Sequence, residues 1–451
     1  MLYRKIEADI INWIKTSNKA LLLYGVRQSG KTFIIRKCLQ DTGCDYVEFN
    51  LIEHPELVKI LDGATGRDDM ILKLSLYTSQ PITPGKTFIF LDEIQRSKEI
   101  VTKIKFLVED NRFRFVLSGS LLGVELVNLK SAPVGYLQIL TLYPLDFEEF
   151  LQVFKVTNQI KEQLRQSYIA EKPVDEVIHK KLLEMFNLYL IIGGMPAAVE
   201  KYRATGNIQD VIDEHLAILE QYKLDFTQYE AENRRLTLTH IYEMIPAELN
   251  EKNKRFMIAD IKKNLRYERI EDNFTWLWKA GVALGVFNTT EPTIPLMLNE
   301  KSSLFKMFLS DVGLLTTVYG KACKLKIISN DRDINKGAVY ENVVAQELNA
   351  HGYQLYYYNN KKMGELDFVV EHDGQVLPIE VKSGKDYNRH SALDQVMAIS
   401  KYQIPKAYIF TNDNVKADGK LVYYPIYMTM FLKEGMLEFP DLSVNRFTFK
   451  D

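Results

Sequence analysis

Eight residues near the start of the chain have the types and spacing that hold a phosphate group. The segment Gly25 to Thr32 fits the pattern G-x-x-x-x-G-K-[ST], follows an apolar run and precedes a helical pattern. Glycines let the backbone wrap around phosphate with its N–H groups inward, and the helix N-terminus adds partial positive charge. We expect Lys31 to reach the β- and γ-phosphates and Thr32 to ligate Mg²⁺. The expected cofactors are ATP and Mg²⁺, bound by Gly25, Gln28, Ser29, Gly30, Lys31 and Thr32.

Two carboxylates follow a fully apolar run later in the chain. The run Thr87 to Leu91 predicts a buried strand, which ends in Asp92 and Glu93 at the sheet edge where the phosphate loop must also lie. Asp92 is expected to hold the magnesium ion, directly or through water, and Glu93 to polarise the attacking water. The next strand ends in two serines, Ser118 and Ser120, and either can bond the γ-phosphate or the water.

A second set of acids, with a lysine, lies in the last third of the chain. Asp367 stands near the start of an apolar strand, and alternation along the next strand places Glu380 and Lys382 on one face. Glu341, on a helical stretch upstream, can supply a third acid. Paired carboxylates beside a lysine suit metal-assisted phosphodiester hydrolysis, with Mg²⁺ or Mn²⁺ held by Asp367 and Glu380. Such triplets are also frequent on solvated strand faces.

The elements that must position these residues predict an α/β fold. Five short apolar runs separated by helical patterns indicate a parallel sheet with helices on both faces, over 20–24, 46–51, 87–91, 114–117 and 137–142. Helical patterns continue from about residue 147 to about residue 250. Between 255 and 320, two short helical stretches, a break at Gly281 and a β-like stretch suit a winged helix-turn-helix. The last third predicts helices over 337–351 and 391–401, and strands over 354–358, 366–371, 376–381 and 406–410.

Length and composition limit the class of protein. At 451 residues the chain exceeds the length at which one hydrophobic core usually stops growing, so several domains are expected. No apolar run is long enough for a membrane span, no secretion signal opens the chain, and the three cysteines show no disulfide or metal-ligand pattern. These features predict a cytoplasmic protein that does not enter a membrane.

Charge is distributed unevenly, although the net charge of −2 gives no global case for nucleic acid. Residues 234–330 carry 15 basic and 10 acidic side chains, whereas residues 336–451 carry 13 and 15. A DNA-binding surface is thus more expected in the middle segment, where acids also interrupt the basic residues Lys252, Lys254, Arg255, Lys262, Lys263, Arg266 and Arg269. In the last third, Lys385 and Arg389 are either contacts for substrate phosphates or exposed surface charge.

Taken together, these motifs resemble prokaryotic AAA-type ATPases that carry a C-terminal domain of unknown function with a restriction-endonuclease-like (PD-(D/E)XK) core. The resemblance rests on the phosphate loop and on residues 91–95, 117–120, 142–150, 193–196, 310–315 and 379–384. It implies an ATPase core of the additional-strand type over 1–150, a helical lid over 151–233, a winged helix over 234–330 and a nuclease-like domain over 331–451. The site of that last domain would be Glu341, Asp367, Glu380 and Lys382.

One position departs from the pattern of these relatives. They usually have Gly-Arg ahead of the strand that leads into Tyr143-Pro144, whereas this chain has Gly135-Tyr136. If that arginine normally senses phosphate, turnover here is slow or depends on another arginine. The candidates are Arg27, Arg96 and Arg114, and the sequence does not rank them.

Three functional hypotheses follow for the whole chain. In the first, the P-loop domain hydrolyses ATP, the winged helix contacts DNA and the terminal site cleaves phosphodiesters. In the second, ATP binding repositions the winged helix and the terminal domain so that they grip a nucleic-acid or protein partner without cleaving it. A third reading makes the helical middle purely a protein interface. The expected partners are ATP and either DNA or protein, including further copies of the chain.

Overall fold

The structure is a computed structural model that describes residues 2–97, 99–109, 112–120, 135–229, 232–251, 253–261, 266–329, 336–384 and 389–435. These residues form two units, each assembled from separated parts of the chain. The first unit draws on Met1–Thr157, Glu184–Leu284 and Met307–Ile334. The second draws on Asn158–Leu183, Gly285–Lys306 and Asn335–Asp451.

A five-stranded sheet forms the base of the first unit. The elements here are α1 (Ile6–Thr16), β1 (Ala20–Tyr24), α2 (Lys31–Asp41), β2 (Tyr46–Asn50), α3 (Pro55–Gly63), α4 (Arg67–Leu74), β3 (Phe88–Asp92), α5 (Ile100–Val108), β4 (Arg114–Gly119), β5 (Leu137–Thr141) and α6 (Phe147–Val153). The strand order is β2-β3-β4-β1-β5, and all neighbours are parallel. The five apolar runs therefore form strands, and the predicted α/β fold with a parallel sheet is confirmed.

Alternation along β1 explains why helices cover both faces of this sheet. Leu21 and Leu23 belong to one apolar cluster with side chains of α1 and α2. Leu22 belongs to a second cluster with side chains of α3, α4 and α5. Because successive side chains of a strand point to opposite faces, a strand covered on both sides reads as a continuous apolar run. All five residues of β3 are accordingly buried.

The position of β4 decides which strand ends meet. Leu22 of β1 and Leu91 of β3 both pair with Leu117 of β4, so β4 lies between the other two strands. Since the three strands are parallel, their carboxyl ends lie side by side at one edge of the sheet. This order is the additional-strand arrangement that the resemblance implied.

Helices make up most of the remaining first unit. The helices after α6 are α7 (Asn158–Ala170), α8 (Glu176–Ile192), α9 (Pro196–Thr205), α10 (Ile208–Tyr229), α11 (Glu232–Asn250), α12 (Ile258–Ile261), α13 (Glu271–Lys279), α14 (Val312–Val318) and α15 (Lys321–Ile328). Of these, α7 belongs to the second unit and α8 contributes residues to both. Within the described residues no single helix is long and apolar enough to cross a membrane; only α8 and α9, taken together as a bent pair, meet that test.

An eight-stranded mixed sheet contributes most of its residues to the second unit. Its strands are β6 (Ala283–Thr289), β7 (Glu300–Leu309), β8 (Tyr356–Asn360), β9 (Gly364–His372), β10 (Gln375–Val381), β11 (Ala407–Thr411), β12 (Lys416–Asp418) and β13 (Leu421–Pro425), with helices α16 (Gly337–Ala350) and α17 (Ser391–Met397). The strand order is β12-β13-β11-β10-β9-β8-β6-β7, and β6 and β7 each have residues in both units. The pairs β8–β9, β9–β10 and β12–β13 are antiparallel, whereas β6–β8, β10–β11 and β11–β13 are parallel.

The segment predicted to form a winged helix contributes two strands to this sheet. Its helices and strands occur in the expected order, and β6 lies between β7 and β8, with Phe287 opposite Tyr356. The winged helix is not confirmed, and the division into 1–150, 151–233, 234–330 and 331–451 stays a prediction.

Candidate functional site

The phosphate loop connects the end of β1 to the start of α2. Gly25 has no room for a side chain, because a Cβ there would overlap the carbonyl oxygen of Leu142. Gly30 has a left-handed φ of 92°, which glycine adopts without the steric penalty of a Cβ. Gln28, with φ of 65°, is also left-handed and turns the chain between the two glycines. The backbone therefore requires both glycines of the motif.

Lys31 is buried against this loop. Its Nζ donates to the carbonyl oxygens of Gly25 at 3.1 Å and Val26 at 2.9 Å. Burial lowers the pKa of Lys31 to about 8, although the nearby acids, Glu93 first, act in the opposite direction. An anionic phosphate would satisfy this ammonium better than two neutral carbonyls do. Ser29 Oγ in the same loop is buried and has no hydrogen-bond partner among the described residues.

The carboxylate of Asp92 accepts hydrogen bonds from side chains of α2, β2 and β4. Its Oδ2 accepts hydrogen bonds from Thr32 Oγ1 at 2.9 Å and from Asn50 Nδ2 at 3.3 Å. Its Oδ1 accepts from the hydroxyl of Ser118. Of the two candidate serines, Ser118 is thus the one that contacts Asp92. The sequence motifs do not point to Asn50, and its only signal is its position at the end of a strand on the same sheet edge.

Glu93 follows β3 in a left-handed conformation with φ of 58°. This conformation is uncommon for a residue other than glycine and needs support from its surroundings. Gln95 holds the side chain of Glu93, because its amide nitrogen donates to Glu93 Oε2 and, at 3.2 Å, to Ser120 Oγ. Among the charged neighbours of Lys31, Glu93 raises its pKa most.

The side chains around Asp92 suit a magnesium ion. The Thr32 hydroxyl and the Asp92 carboxylate are oxygen donors 2.9 Å apart, close enough for one ion or its bound water to reach both. Asn50 and Ser118 fix the orientation of the carboxylate, as outer groups commonly do for metal ligands. The residues present therefore fit a nucleotide with Mg²⁺.

The structure separates the three candidate arginines. Arg114 is structural: its guanidinium donates to three backbone carbonyls at the end of α1 and lies 4.8 Å from the ring of Trp13. Arg96 is exposed at the end of a short 3₁₀ helix. Arg27, inside the phosphate loop, forms an ion pair with Asp225 of α10.

Tyr136, which stands where the similar ATPases usually have an arginine, has an apolar environment. It packs against the cluster formed by side chains of α3, α4 and α5. Its ring also lies 5.7 Å from Lys105 Nζ. Tyr136 therefore contributes to the packing between the sheet and these helices. Of the three candidate arginines, Arg27 is the one within the phosphate loop.

The second predicted site lies on β9 and β10 of the second unit. Asp367 Oδ2 accepts the backbone N–H of Val381 at 2.8 Å. Glu380 is buried, and its Oε2 accepts from Lys382 Nζ at 2.6 Å. The structure thus brings Asp367, Glu380 and Lys382 together, with Glu341 of α16 close enough to act on the charge of Glu380.

Lys306 of β7 belongs to the same cluster, and the sequence motifs do not point to it. Its fully buried Nζ lies 2.5 Å from Glu365 Oε1 and 3.9 Å from Glu341 Oε2. It also lies 5.0 Å from the centre of the Tyr357 ring. One feature of the sequence could have indicated this role, namely a single lysine inside the apolar second half of β7. A lysine that is buried in a strand needs acids around it.

The charged groups of this cluster change one another's pKa values. Burial, and next the negative charge of Asp367, raises the pKa of Glu380 to about 8. Burial alone would lower the pKa of Lys306, but Glu341, Glu365 and Asp367 raise it above its ordinary value. A protonated lysine and a carboxyl group that resists ionisation both reduce the net negative charge of the cluster.

This arrangement does not offer a ready set of metal ligands. Among the described residues, no group of three or more His, Cys, Asp or Glu side chains is placed to hold a metal ion. Asp367 bonds a backbone N–H, and Glu380 bonds Lys382. The roles of Asp367 and Glu380 in holding Mg²⁺ or Mn²⁺ stay predictions. Of the basic residues named above, Arg389 is exposed, whereas Lys252, Lys262, Lys263 and Lys385 lie outside the described residues.

The parallel sheet, the phosphate loop and the acid at the end of β3 define a P-loop nucleotide-binding unit. Residues 17–151 match the family model of an AAA domain (AAA_14). The predicted AAA-type P-loop ATPase domain is therefore confirmed, and with it nucleotide binding. ATP hydrolysis is the activity that this family suggests.

Two further family models match parts of the chain after the AAA domain. Residues 336–428 match a domain of unknown function (DUF4143), and residues 183–324 match another (DUF8612). A C-terminal domain of unknown function is thus confirmed. Neither match establishes a restriction-endonuclease-like fold, which stays a prediction.

The chain also has similar relatives and solved structures. It is 26% identical over 387 residues to the uncharacterized protein MJ1544 of Methanocaldococcus jannaschii, covering 82% of this chain and 75% of that protein. It is similar to the Walker-type ATPase PABY2304 of Pyrococcus abyssi, with 14% identity, 71% and 96% of the two chains covered and a TM-score of 0.42. For Cdc6p from Pyrobaculum aerophilum the identity is 14%, the coverage 72% and 93%, and the TM-score 0.25. Both TM-scores lie below 0.5, so neither likeness establishes a shared fold.

Proposed function

We propose that this protein binds ATP with Mg²⁺ at the phosphate loop and hydrolyses it. The observation that carries the proposal is the hydrogen-bonded set around Asp92, which joins Thr32 of the loop to Asn50 and Ser118 of the neighbouring strands. This set places one negative charge beside the loop and holds its orientation. The AAA-domain match over the same residues supports the same activity.

Each side chain has a distinct task in this mechanism. Lys31 would exchange the carbonyls of Gly25 and Val26 for phosphate oxygens, and Thr32 and Asp92 would hold the magnesium ion. When bound, the ion supplies positive charge that offsets the negative charge developing on the phosphates. Glu93 orients the attacking water, and Gln95 keeps that carboxylate in place.

Phosphate release by the full chain, with ATP and Mg²⁺, tests the proposal. Lys31→Ala should abolish ATP binding, because the loop loses its charge for the phosphates. Glu93→Gln should keep ATP affinity and lose turnover by about 100-fold or more, because an amide orients water without polarising it. The exposed Lys401→Ala, which loses only an ion pair with Glu291, is the control. Hydrolysis that persists unchanged in the Lys31 and Glu93 variants would overturn the proposal.

For the second unit we propose a non-cleaving role, in which ATP controls its grip on a partner. The observation that favours this role is Lys306, whose ammonium lies among the acids of the predicted nuclease site and its neighbour Glu365. The alternative is phosphodiester cleavage, and it is favoured by the meeting of Asp367, Glu380 and Lys382. DNA is the first partner to test for the chain as a whole, because the segment 234–330, most of which belongs to the first unit, carries an excess of basic side chains.

Two measurements separate these roles. Incubation of the protein with duplex DNA and Mg²⁺ or Mn²⁺ should give no cleavage that depends on Lys382 or Asp367. Cleavage that disappears in both Lys382→Ala and Asp367→Asn would establish the nuclease instead. DNA affinity should differ between ATP, ADP and the Lys31→Ala variant, and should fall when the exposed Arg266 and Arg269 become Glu. DNA affinity that is identical in all these states would overturn the DNA-binding role.

A further inference from the structure

Arg27 connects the phosphate loop to helix α10. Its guanidinium pairs with the carboxylate of Asp225, and its backbone carbonyl accepts a hydrogen bond of 3.3 Å from the Tyr222 hydroxyl. Tyr222 and Asp225 are three residues apart and therefore lie on one face of the helix. Arg27 thus contacts α10 through both its backbone and its side chain.

Stability alone gives a weak reason for this ion pair. The side chain of Asp225 is 2% exposed and that of Arg27 is 26% exposed. Burial raises the pKa of Asp225, although Arg27 acts to lower it. Removing a carboxylate from water costs free energy that one ion pair seldom recovers in full. A buried acid facing a loop arginine is better explained by a task that needs the arginine to be held and released.

The pair also acts electrostatically on the lysine that would hold the phosphates. The charges of both Arg27 and Asp225 act on Lys31, after the larger effects of burial, Glu93 and Asp92. Arg27 belongs to the same phosphate loop as Lys31, so its side chain leaves the backbone that would wrap around the phosphates. Arg114, in contrast, already bonds three backbone carbonyls at the end of α1. Arg27 is thus the better placed of these two arginines for a contact with ATP.

From these relationships we propose that Arg27 senses the γ-phosphate of ATP and that Asp225 holds Arg27 until ATP binds. The inference rests on the proposed ATP hydrolysis. The γ-phosphate, with more than one negative charge, takes the guanidinium from the single carboxylate of Asp225. ADP has no γ-phosphate and leaves the pair intact. Helix α10 therefore loses its ion pair with Arg27 when ATP binds and keeps it when ADP binds. The hydrogen bond from Tyr222 to the loop remains in both cases.

Dissociation constants for ATP and ADP, measured with Mg²⁺ on the full chain, test this exchange. Asp225→Asn removes the competitor, so ATP should bind several-fold more tightly, about fivefold, while ADP affinity stays within about twofold. Arg27→Ala should weaken ATP binding about tenfold, spare ADP and lower kcat by about tenfold or more. Arg203→Ala is the matched control, because it loses an exposed ion pair with Glu200 on α9 and should change none of these values.

Hydrogen exchange along α10 gives a second test. If the ion pair were purely structural, the exchange rates would not depend on which nucleotide is bound. Amides over 218–226 should exchange faster in the wild type with ATP than with ADP, and equally fast with either nucleotide in Asp225→Asn. The ring centre of Trp276 lies 5.3 Å from that of Phe226, so tryptophan fluorescence reports whether that variant keeps the packing around α10.

The outcomes distinguish this inference from the proposed function. If the wild type hydrolyses ATP but the ratio of ATP to ADP affinity is the same in Arg27→Ala, Asp225→Asn and wild type, Arg27 is not the sensor and the ATPase stands. Equal weakening of ATP and ADP binding in Asp225→Asn would likewise make the ion pair structural. A wild type that binds neither nucleotide overturns both.

Discussion

Thr32 Oγ1 donates a hydrogen bond of 2.9 Å to Asp92 Oδ2, joining two residues that are 60 positions apart in the chain. Thr32 lies in the first turn of α2, and Asp92 is the last residue of β3. They meet because β4 lies between β1 and β3 and all three strands run in one direction. The bond therefore depends on the strand order as much as on the phosphate-loop motif.

Replacing Asp92 by Asn tests what this relationship does. The variant keeps the size of the side chain but removes its negative charge, so Mg²⁺ should be held less tightly. We expect turnover to fall about 100-fold and the Mg²⁺ concentration for half-maximal activity to rise. Phosphate release measured against Mg²⁺ concentration checks both effects. Asp45→Asn, an exposed acid before β2, should behave as the wild type, and an unchanged Mg²⁺ dependence in Asp92→Asn would contradict the assignment.

Lys31 gives ATP binding a dependence on pH. Burial lowers its pKa to about 8, so the free protein loses this proton as pH rises through 8, while bound phosphate favours the charged form. ATP binding at pH 9 should therefore take up about one proton, and binding at pH 6.5 none. Calorimetry in two buffers of different ionisation enthalpy measures this uptake. Lys31→Arg keeps its charge throughout and should show no uptake at either pH; equal heats in both buffers for the wild type at pH 9 would disprove the low pKa.

The first unit was largely predictable because its signals are local. The motif from Gly25 to Thr32 is contiguous, and each strand of the sheet is an apolar run that stands by itself in the sequence. Asn50 and Gln95 were not predictable in the same way. Their roles follow from contacts with Asp92 and Glu93, and those contacts exist only once the strands have their spatial order.

The second unit was less predictable because its pairings are distant in sequence. The patterns predict β8 to β11 within two residues of their bounds, but they do not predict β12 and β13. The exposed polar side chains of β12 give no apolar signal. Considered with its neighbours in sequence, β6 suggests the wing of a winged helix. The local pattern does not show that β6 also pairs with β8, which begins at Tyr356. Lys306 similarly acquires its acids from helix and strand residues that follow it by at least 35 positions, the first being Glu341.

Lys306→Met tests whether the acids of the second unit depend on this lysine. Leaving buried acids without their cation should destabilise the second unit by about 3–5 kcal/mol. All three tryptophans, Trp13, Trp276 and Trp278, lie in the first unit, so hydrogen exchange of β9 and β10 is the suitable measurement. Lys401→Met, which loses an exposed ion pair, should leave that exchange unchanged. If Lys306→Met exchanges like the wild type, the acids find other counter-charges.

Glu380 should make the stability of the second unit depend on pH. Its pKa is raised from an ordinary value near 4.5 to about 8. Between these values the folded unit keeps a proton that the unfolded chain releases, so the free energy of unfolding falls as pH rises, by up to about 1.4 kcal/mol per pH unit. Hydrogen exchange of β10 at pH 5, 6, 7 and 8, corrected for intrinsic exchange rates, measures this slope.

Glu380→Gln should flatten that slope, because an amide does not titrate, whereas the exposed Asp418→Asn on β12 should keep it. A wild type whose stability shows no slope over this range would contradict the raised pKa of Glu380.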